Sequence, residues 1–221
     1  MNTRISVGLA ILVLLSACGG GGGSTSPPAP PAAPSLAYED PAGDGWKLVR
    51  DYTSTSTRLV LDLVGPADLK ARGVGFNLQK GSGLIFGTFA DGGYASDTGV
   101  FELRGSNANF EPYAGTDADP VLFASAPLAS GDVLSTGIFQ KDRSYSAKSV
   151  TQPLVQIVLE PSAPNPVTSS HPALDPYAIR VIKARMIPDD IGGMDFQLTP
   201  TVIAKARLVD IDIAVGKITY K

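Results

Sequence analysis

The residues able to do chemistry are few. The 221-residue chain holds one cysteine, Cys18, and one histidine, His171. Together they fall short of the three or four nitrogen and sulfur ligands that zinc takes. His171 lies between Ser170 and Pro172, four residues before Asp175. A Ser-His-Asp relay needs the imidazole held between nucleophile and carboxylate, and a proline-rich stretch positions neither. No G-x-S-x-G elbow occurs. Gly216-Lys217 is followed by Ile218, not the hydroxyl residue of a phosphate loop.

Carboxylates and phenols remain. Asp40 and Asp44, beside Gly43 and Gly45, and Asp117 with Asp119 are oxygen donors on turns, the character calcium selects. Neither group follows the EF-hand spacing, and both also suit solvated turns. Calcium is therefore an optional cofactor, and no other is implied. Asp210 and Asp212 fall two apart on one strand face, where they repel and should face water or cations of a neighbouring strand such as Lys183 and Arg185. Tyr94, Tyr113 and Tyr145 sit among Gly, Ser and Asp and are candidate exposed ligand contacts, whereas Trp46 opens a strand as a core residue would.

The N-terminus sets location. Met1 to Arg4 carries one positive charge, Ile5 to Leu15 is apolar apart from Ser6 and Gly8, and the small residues Ser16 and Ala17 follow. That is the build of a secretory signal, too short for a membrane-spanning helix of roughly 20 residues. Leu15-Ser16-Ala17-Cys18 resembles the lipobox of bacterial lipoproteins. The resemblance implies cleavage after residue 17 and attachment of diacylglycerol and a further acyl chain, such as palmitate, at Cys18. An ordinary cleaved signal ending near Ala17 is the other reading. Two or three chains, at about 0.8 kcal/mol per buried methylene, make the anchor lasting. Gly19 stands where lipoproteins retained in the inner membrane carry Asp, so the resemblance implies a lipid-anchored protein of the outer membrane.

Residues 18–35 form a Gly/Ser/Pro-rich tether with little to bury. Its glycines are a joint and its prolines a stiffer spacer, reaching roughly 30–50 Å. Without residues 1–17 the formal charge goes from −3 to −4 by loss of Arg4, which gives no electrostatic reason to expect nucleic acid.

Residues 36–221 suffice for one well-packed domain. Alternation marks strands at Trp46–Tyr52, Arg58–Val64, Val74–Gln79, Leu84–Phe89, Val100–Arg104, Val121–Ala124, Val133–Phe139 and Leu154–Leu159. Ala67–Arg72 could make one helical turn. A Pro-rich loop spans 161–176. Residues 178–187 fit either helix or strand, and their β-branched content favours strand. The clearest pattern is last: Val209, Ile211, Ile213 and Val215 alternate with Asp210 and Asp212, as in one continuous strand. About nine to eleven strands with frequent turns predict an all-β fold, a single jelly-roll or immunoglobulin-like β-sandwich.

Arg58–Val64, a short connection, Gly73-Val74-Gly75-Phe76-Asn77-Leu78, a Gly-marked Leu84-Ile85-Phe86 and the closing Gly216-Lys217-Ile218-Thr219-Tyr220 together resemble cohesin-type modules. These and related carbohydrate-binding modules are jelly rolls that bind protein or sugar on a sheet face. The 161–176 segment departs from that pattern, and no binding residue is carried over. The reading is a non-catalytic, lipid-anchored binding or assembly module that contacts a protein or polysaccharide. The alternatives are a cell-envelope hydrolase or accessory enzyme using surface carboxylates and a structural subunit that pairs by strand addition.

Overall fold

The computed structural model describes residues 34–101, 121–140, 146–163, 170–189 and 208–221. Cys18, Tyr113, Asp117, Asp119 and Tyr145 lie outside the described residues, as do the signal segment and the tether up to residue 33. The fold is all-β. Among the described residues it comprises β1 (Leu36–Glu39), β2 (Trp46–Arg50), β3 (Leu59–Val64), β4 (Lys70–Lys80), β5 (Leu84–Phe86), β6 (Ala95–Asp97) and β7 (Val121–Pro127). There follow β8 (Val133–Gln140), β9 (Lys148–Ser149), β10 (Val155–Pro161), β11 (Ile179–Pro188), β12 (Val209–Asp210), β13 (Ile213–Ala214) and β14 (Lys217–Tyr220).

These strands build two six-stranded sheets and a small ribbon. The first sheet runs β13-β2-β3-β10-β5, with β6 also on β10; the second runs β12-β11-β4-β8-β7, with β9 on β4; β1 pairs with β14. The sheets share one core, as expected of a sandwich. Leu48, Leu59, Leu61, Leu63, Leu84, Ile157 and Leu159 come from the first, and Val74, Phe76, Leu78, Leu134 and Ile138 from the second. Trp46 is buried in this core.

Residues 179–188 form a strand, paired antiparallel with β4 along almost its whole length. The helical turn expected over 67–72 is instead a tight turn at Ala67 and Asp68, with Asp68 at φ 63, leading directly into β4. The final alternating run is not one strand. Val209–Asp210 pairs with β11 in the second sheet, Ile213–Ala214 runs parallel to Trp46–Lys47 in the first, and Lys217–Tyr220 pairs with β1. Alternation survives because residues 209, 211, 213 and 215 keep packing on the core as the chain passes from one sheet to the other. Hydropathy reports which side is buried and is blind to the change of hydrogen-bonding partner. This splitting, together with the short β1, β6 and β9, raises the strand number above the nine to eleven expected.

Two contacts lock the sandwich ends. The Tyr38 hydroxyl donates to the Leu48 carbonyl at 2.9 Å and accepts the Gly216 amide at 2.6 Å. Burial pushes this phenol up to about 12, against the pull of the Gly216 amide. A Cβ at Gly216 would sit 2.0 Å from the Glu39 carbonyl oxygen, so only glycine admits this approach. At the other end, the Gly81 and Gly83 amides donate to the Ala178 and Pro176 carbonyls, tying the end of the Pro-rich segment to the turn between β4 and β5.

Candidate functional site

Each sheet has an outer face, and the two differ in chemistry. On the second sheet, register places Gly73, Gly75 and Asn77 of β4 opposite Phe139, Gly137 and Ser135 of β8. Across β8, Ala124 and Ala126 of β7 stand opposite Gly137 and Ser135; across β4, Arg185 and Lys183 of β11 stand opposite Gly75 and Asn77. Alternation turns Val74, Phe76, Leu78, Leu134 and Ile138 inward, which leaves glycine, alanine, serine and asparagine to make the floor. The result is an open concavity of about 840 Å³ lined by these outward residues from Gly75 on, together with Leu128 and Leu208.

The glycines have a specific use. A Cβ on Gly73 would lie 2.4 Å from Cδ1 of Phe139, and one on Gly137 would lie 2.8 Å from its Cε2. At Gly75 the distance to Phe139 Cζ would be 3.2 Å. The Phe139 ring therefore lies down across three glycines and stays half-exposed, presenting an aromatic surface on the floor. Lys183 is exposed, while the Arg185 guanidinium is engaged by Asp210 at 2.7 Å. The sequence expectation of a cation beside Asp210 is met by Arg185. Among the described residues, the side chains of Asn77, Ser135 and Lys183 make no hydrogen bond or ion pair. The floor thus offers an amide, a hydroxyl and an ammonium beside a flat ring.

The first sheet's outer face is closed on itself. Val60, Asp62 and Val158 point outward by alternation, yet all three are buried. Val60 stands opposite Val158, and the Gly87 backbone lies against Val158, where a Cβ would come within 2.7 Å of Cγ1. Polar groups here are used internally. Asp62 accepts from Gln156 Nε2 at 2.9 Å, and Arg58 contacts Glu160 at 2.5 Å and donates to the Thr88 carbonyl at 2.7 Å.

Asp51 and Asp62 are diagonal neighbours on this face, since Val49 stands opposite Asp62 and the Asp51 amide donates to the Val60 carbonyl. The two carboxyls are close enough for each to act on the other's proton affinity. Burial, and then the Asp51 charge, push Asp62 up to about 6, against the Gln156 contact. Asp51 is shifted the other way. Burial opposes its charge, but the Thr53 hydroxyl and amide, the Asp62 carboxyl and the Tyr52 amide hold it below the ordinary carboxylate range. Below about pH 6 Asp62 is therefore the proton-bearing partner and Asp51 the anion.

A third polar group closes one end of the sandwich. Gln79 donates to Asp132 at 3.3 Å and to the Pro172 carbonyl at 3.2 Å, and accepts from Arg180 at 2.6 Å. Lys80 is buried beside it with its ammonium 5.6 Å from the Phe86 ring centre. Desolvation lowers the Lys80 pKa, partly offset by the Asp132 charge. Every member is buried or capped by the segment carrying His171, so this group reads as a structural clasp.

The predicted site residues fall as follows. Asp40 accepts the Arg50 amide at 2.7 Å, stapling the β1–β2 connection, and Asp44 is exposed nearby. Among the described residues, no three His, Cys, Asp or Glu side chains are grouped to hold a metal. Tyr94 is half-buried and packs against the core. The structure does not bring Tyr94 together with the Asp40 turn or with the bare face.

Sequence reasoning passed over Asn77, Ser135 and Phe139, and named Lys183 only as a cation for the Asp210 strand. A signal was present: in Gly73-Val74-Gly75-Phe76-Asn77-Leu78 and Ser135-Thr136-Gly137-Ile138-Phe139 the non-core parity holds glycine, serine and asparagine instead of long charged residues. Such strands leave their solvent face flat. No protein-family model matches the chain, and no curated protein matches its sequence.

Proposed function

We propose that this chain is a non-catalytic, lipid-anchored binding or assembly module of the bacterial outer membrane, held by acylated Cys18, cohesin-like, and contacting a protein partner through the outer face of β7-β8-β4-β11. The observation that carries the reading is the bare floor with Asn77, Ser135 and Lys183 unengaged upon it. A glycine and alanine floor lets a partner's backbone or helix approach the strands closely. The unengaged amide, hydroxyl and ammonium then supply orientation, as polar groups do at the core of protein interfaces.

A polysaccharide is the second reading, favoured by the Phe139 ring lying flat beside hydrogen-bonding groups. Calcium at the Asp40–Asp44 turn or at Asp117 and Asp119 belongs to the same proposal as an optional support.

The test is affinity capture from outer-membrane extract with the full lipidated chain in detergent, with and without calcium. An Asn77→Ala/Lys183→Glu variant serves as control. The expected result is a protein retained by the native chain and lost by the variant. Equal retention by both, or none by either, defeats the reading. Retention of glycan alone, lost on Phe139→Ala, selects the polysaccharide.

A further inference from the structure

The edges of the two large sheets are managed unequally. At most margins the strands are very short: β5 and β6 have three residues each, and β9, β12 and β13 have two. Short edges are one way a sheet avoids pairing with other chains. β7 is different. It runs for seven residues, Val-Leu-Phe-Ala-Ser-Ala-Pro, with no charge. Its register with β8 is continuous from Val121 opposite Gln140 to Pro127 opposite Leu134, with no bulge. It ends its sheet: Val121 at its start has a further partner, and from Phe123 to Pro127 it pairs on one side only among the described residues.

The ladder tells which groups face outward. The Leu128 amide donates to the Val133 carbonyl, so the 128–133 pair is a hydrogen-bonded one. Antiparallel pairs alternate, so Ala126 and Ala124 direct their amides and carbonyls at β8, and Phe123 and Ser125 direct theirs away. Neither Phe123 nor Ser125 has another backbone partner among the described residues. The Ser125 hydroxyl is also buried without a hydrogen-bond partner.

We infer that β7 is a self-pairing edge: a second copy of this chain adds antiparallel to it about a two-fold axis through Ala124. In this register Phe123 stands opposite Ser125 of the second copy and Ser125 opposite its Phe123. Both become hydrogen-bonded pairs, making four backbone bonds between identical surfaces. Ala124 meets Ala124 at the axis in a non-hydrogen-bonded pair, where Cα atoms approach to about 4.5 Å. Self-pairing requires that an edge not repel its own copy, and β7 has no charge to repel with. A two-fold contact also closes at two subunits, whereas a head-to-tail contact would propagate. The bare floors of the two copies would then adjoin, doubling the binding face whatever its ligand.

The register gives a positional test. Ala124→Cys places two thiols across the axis within disulfide reach. Ala126→Cys places each thiol opposite residue 122 of the other copy and far from its twin. Oxidation of the full chain in detergent should convert Ala124→Cys, and not Ala126→Cys, to a species of doubled mass on a non-reducing gel. Sedimentation of the native chain should show a monomer–dimer equilibrium. Ala124→Lys, which sets two ammonium groups at the axis, should weaken it by about tenfold or more, a difference of about 1.4 kcal/mol. Ser125→Pro removes an outward amide that the β7–β8 ladder does not use, and should weaken it similarly. Unchanged circular dichroism would show that each variant is folded. A native chain that stays monomeric, or Ala124→Cys and Ala126→Cys cross-linking alike, overturns the inference.

Discussion

The two outer sheet faces are built from the same strand chemistry and end in opposite states. On the β2-β3-β10 face, outward positions hold Val60, Asp62, Gln156, Val158 and Glu160, and their side chains fill the surface and satisfy one another. On the β4-β8-β7 face, the same parity holds Gly73, Gly75, Asn77, Ser135, Gly137, Ala124 and Ala126, which reach too short a distance to cover the sheet. The difference is one of side-chain length, not of hydropathy. A face whose polar groups are mutually bonded has little left for a ligand. A face of small residues leaves backbone within reach and keeps its few polar groups available. Binding capacity here follows from what was omitted between the inward-facing residues.

The sharpest way to break this comparison is to put the same charge on both faces. Val158 is fully buried on the filled face, and Ser135 is half-exposed on the bare one. Val158→Asp would bury a carboxylate on a face where Arg58, diagonal to it, is already engaged by Glu160, so it should cost about 3–5 kcal/mol, or prevent folding. Ser135→Asp stays solvated and should change stability by no more than about 0.5 kcal/mol. Urea unfolding of the two variants measures both. Equal losses would mean that the faces do not differ in solvent access.

The proton shared by Asp51 and Asp62 offers a second measure of how closed the filled face is. Asp62 has a folded pKa of about 6 against an ordinary 3.8, so between about pH 4 and 6 the folded protein holds a proton that the unfolded chain has released. The carboxyl stabilises the fold fully below about 4, and that contribution is lost as pH rises through about 6. Asp51 is shifted down, so its contribution is present above 3.8 and lost as acid titrates it. The pair is therefore most favourable between the two titrations, with one proton between two carboxyls. On its alkaline side the loss should be on the order of 2 kcal/mol. Asp62→Asn keeps a donor toward Asp51 without the titration. It should flatten stability between about pH 4 and 6 and exceed the native protein at the upper end. Thermal unfolding across that range decides it: a native chain with no slope, or an Asp62→Asn chain with the native slope, removes the shared proton.

Much of the sandwich was legible because burial and alternation are local. Leu59, Leu61 and Leu63 announce a core face, and so do Val74, Phe76 and Leu78; each set is buried as its spacing requires. Pairing is not local. The run Val209 to Val215 keeps its alternation while changing partner from β11 to β2, and no property of those seven residues marks the change. The same limit hid the filled face. Asp62 reads as a solvent-side residue beside Arg58, and its burial depends on Asp51, which comes eleven residues earlier, and Gln156, ninety-four residues later. The bare face was hidden for another reason. A search for a site looks for residues that could act, and this floor is recognised by glycine at positions where a long side chain was expected.

The smallest contrast uses one residue type on both faces. Arg58 and Arg185 each contact one carboxylate, Glu160 and Asp210, at 2.5 and 2.7 Å. On the filled face the side chains of Arg58 and Glu160 are 33% and 32% exposed; on the bare one Arg185 and Asp210 are 43% and 79% exposed. Solvent competes more strongly for the second pair, which should contribute about 0–0.5 kcal/mol. Arg58 also donates to the Thr88 carbonyl, and its guanidinium lies 5.8 Å from the Phe89 ring centre. Its loss strips a carbonyl and a ring as well as a carboxylate, and Arg58→Ala should cost about 1 kcal/mol. Denaturant midpoints in low and high salt separate the terms. Salt should erase what Arg185→Ala costs and leave most of what Arg58→Ala costs, because an ion atmosphere screens a solvated pair but does not replace a hydrogen bond or a ring contact. If salt erased both alike, the Arg58 cluster would be as open to water as the bare floor, and the distinction between the two faces would rest on glycine alone.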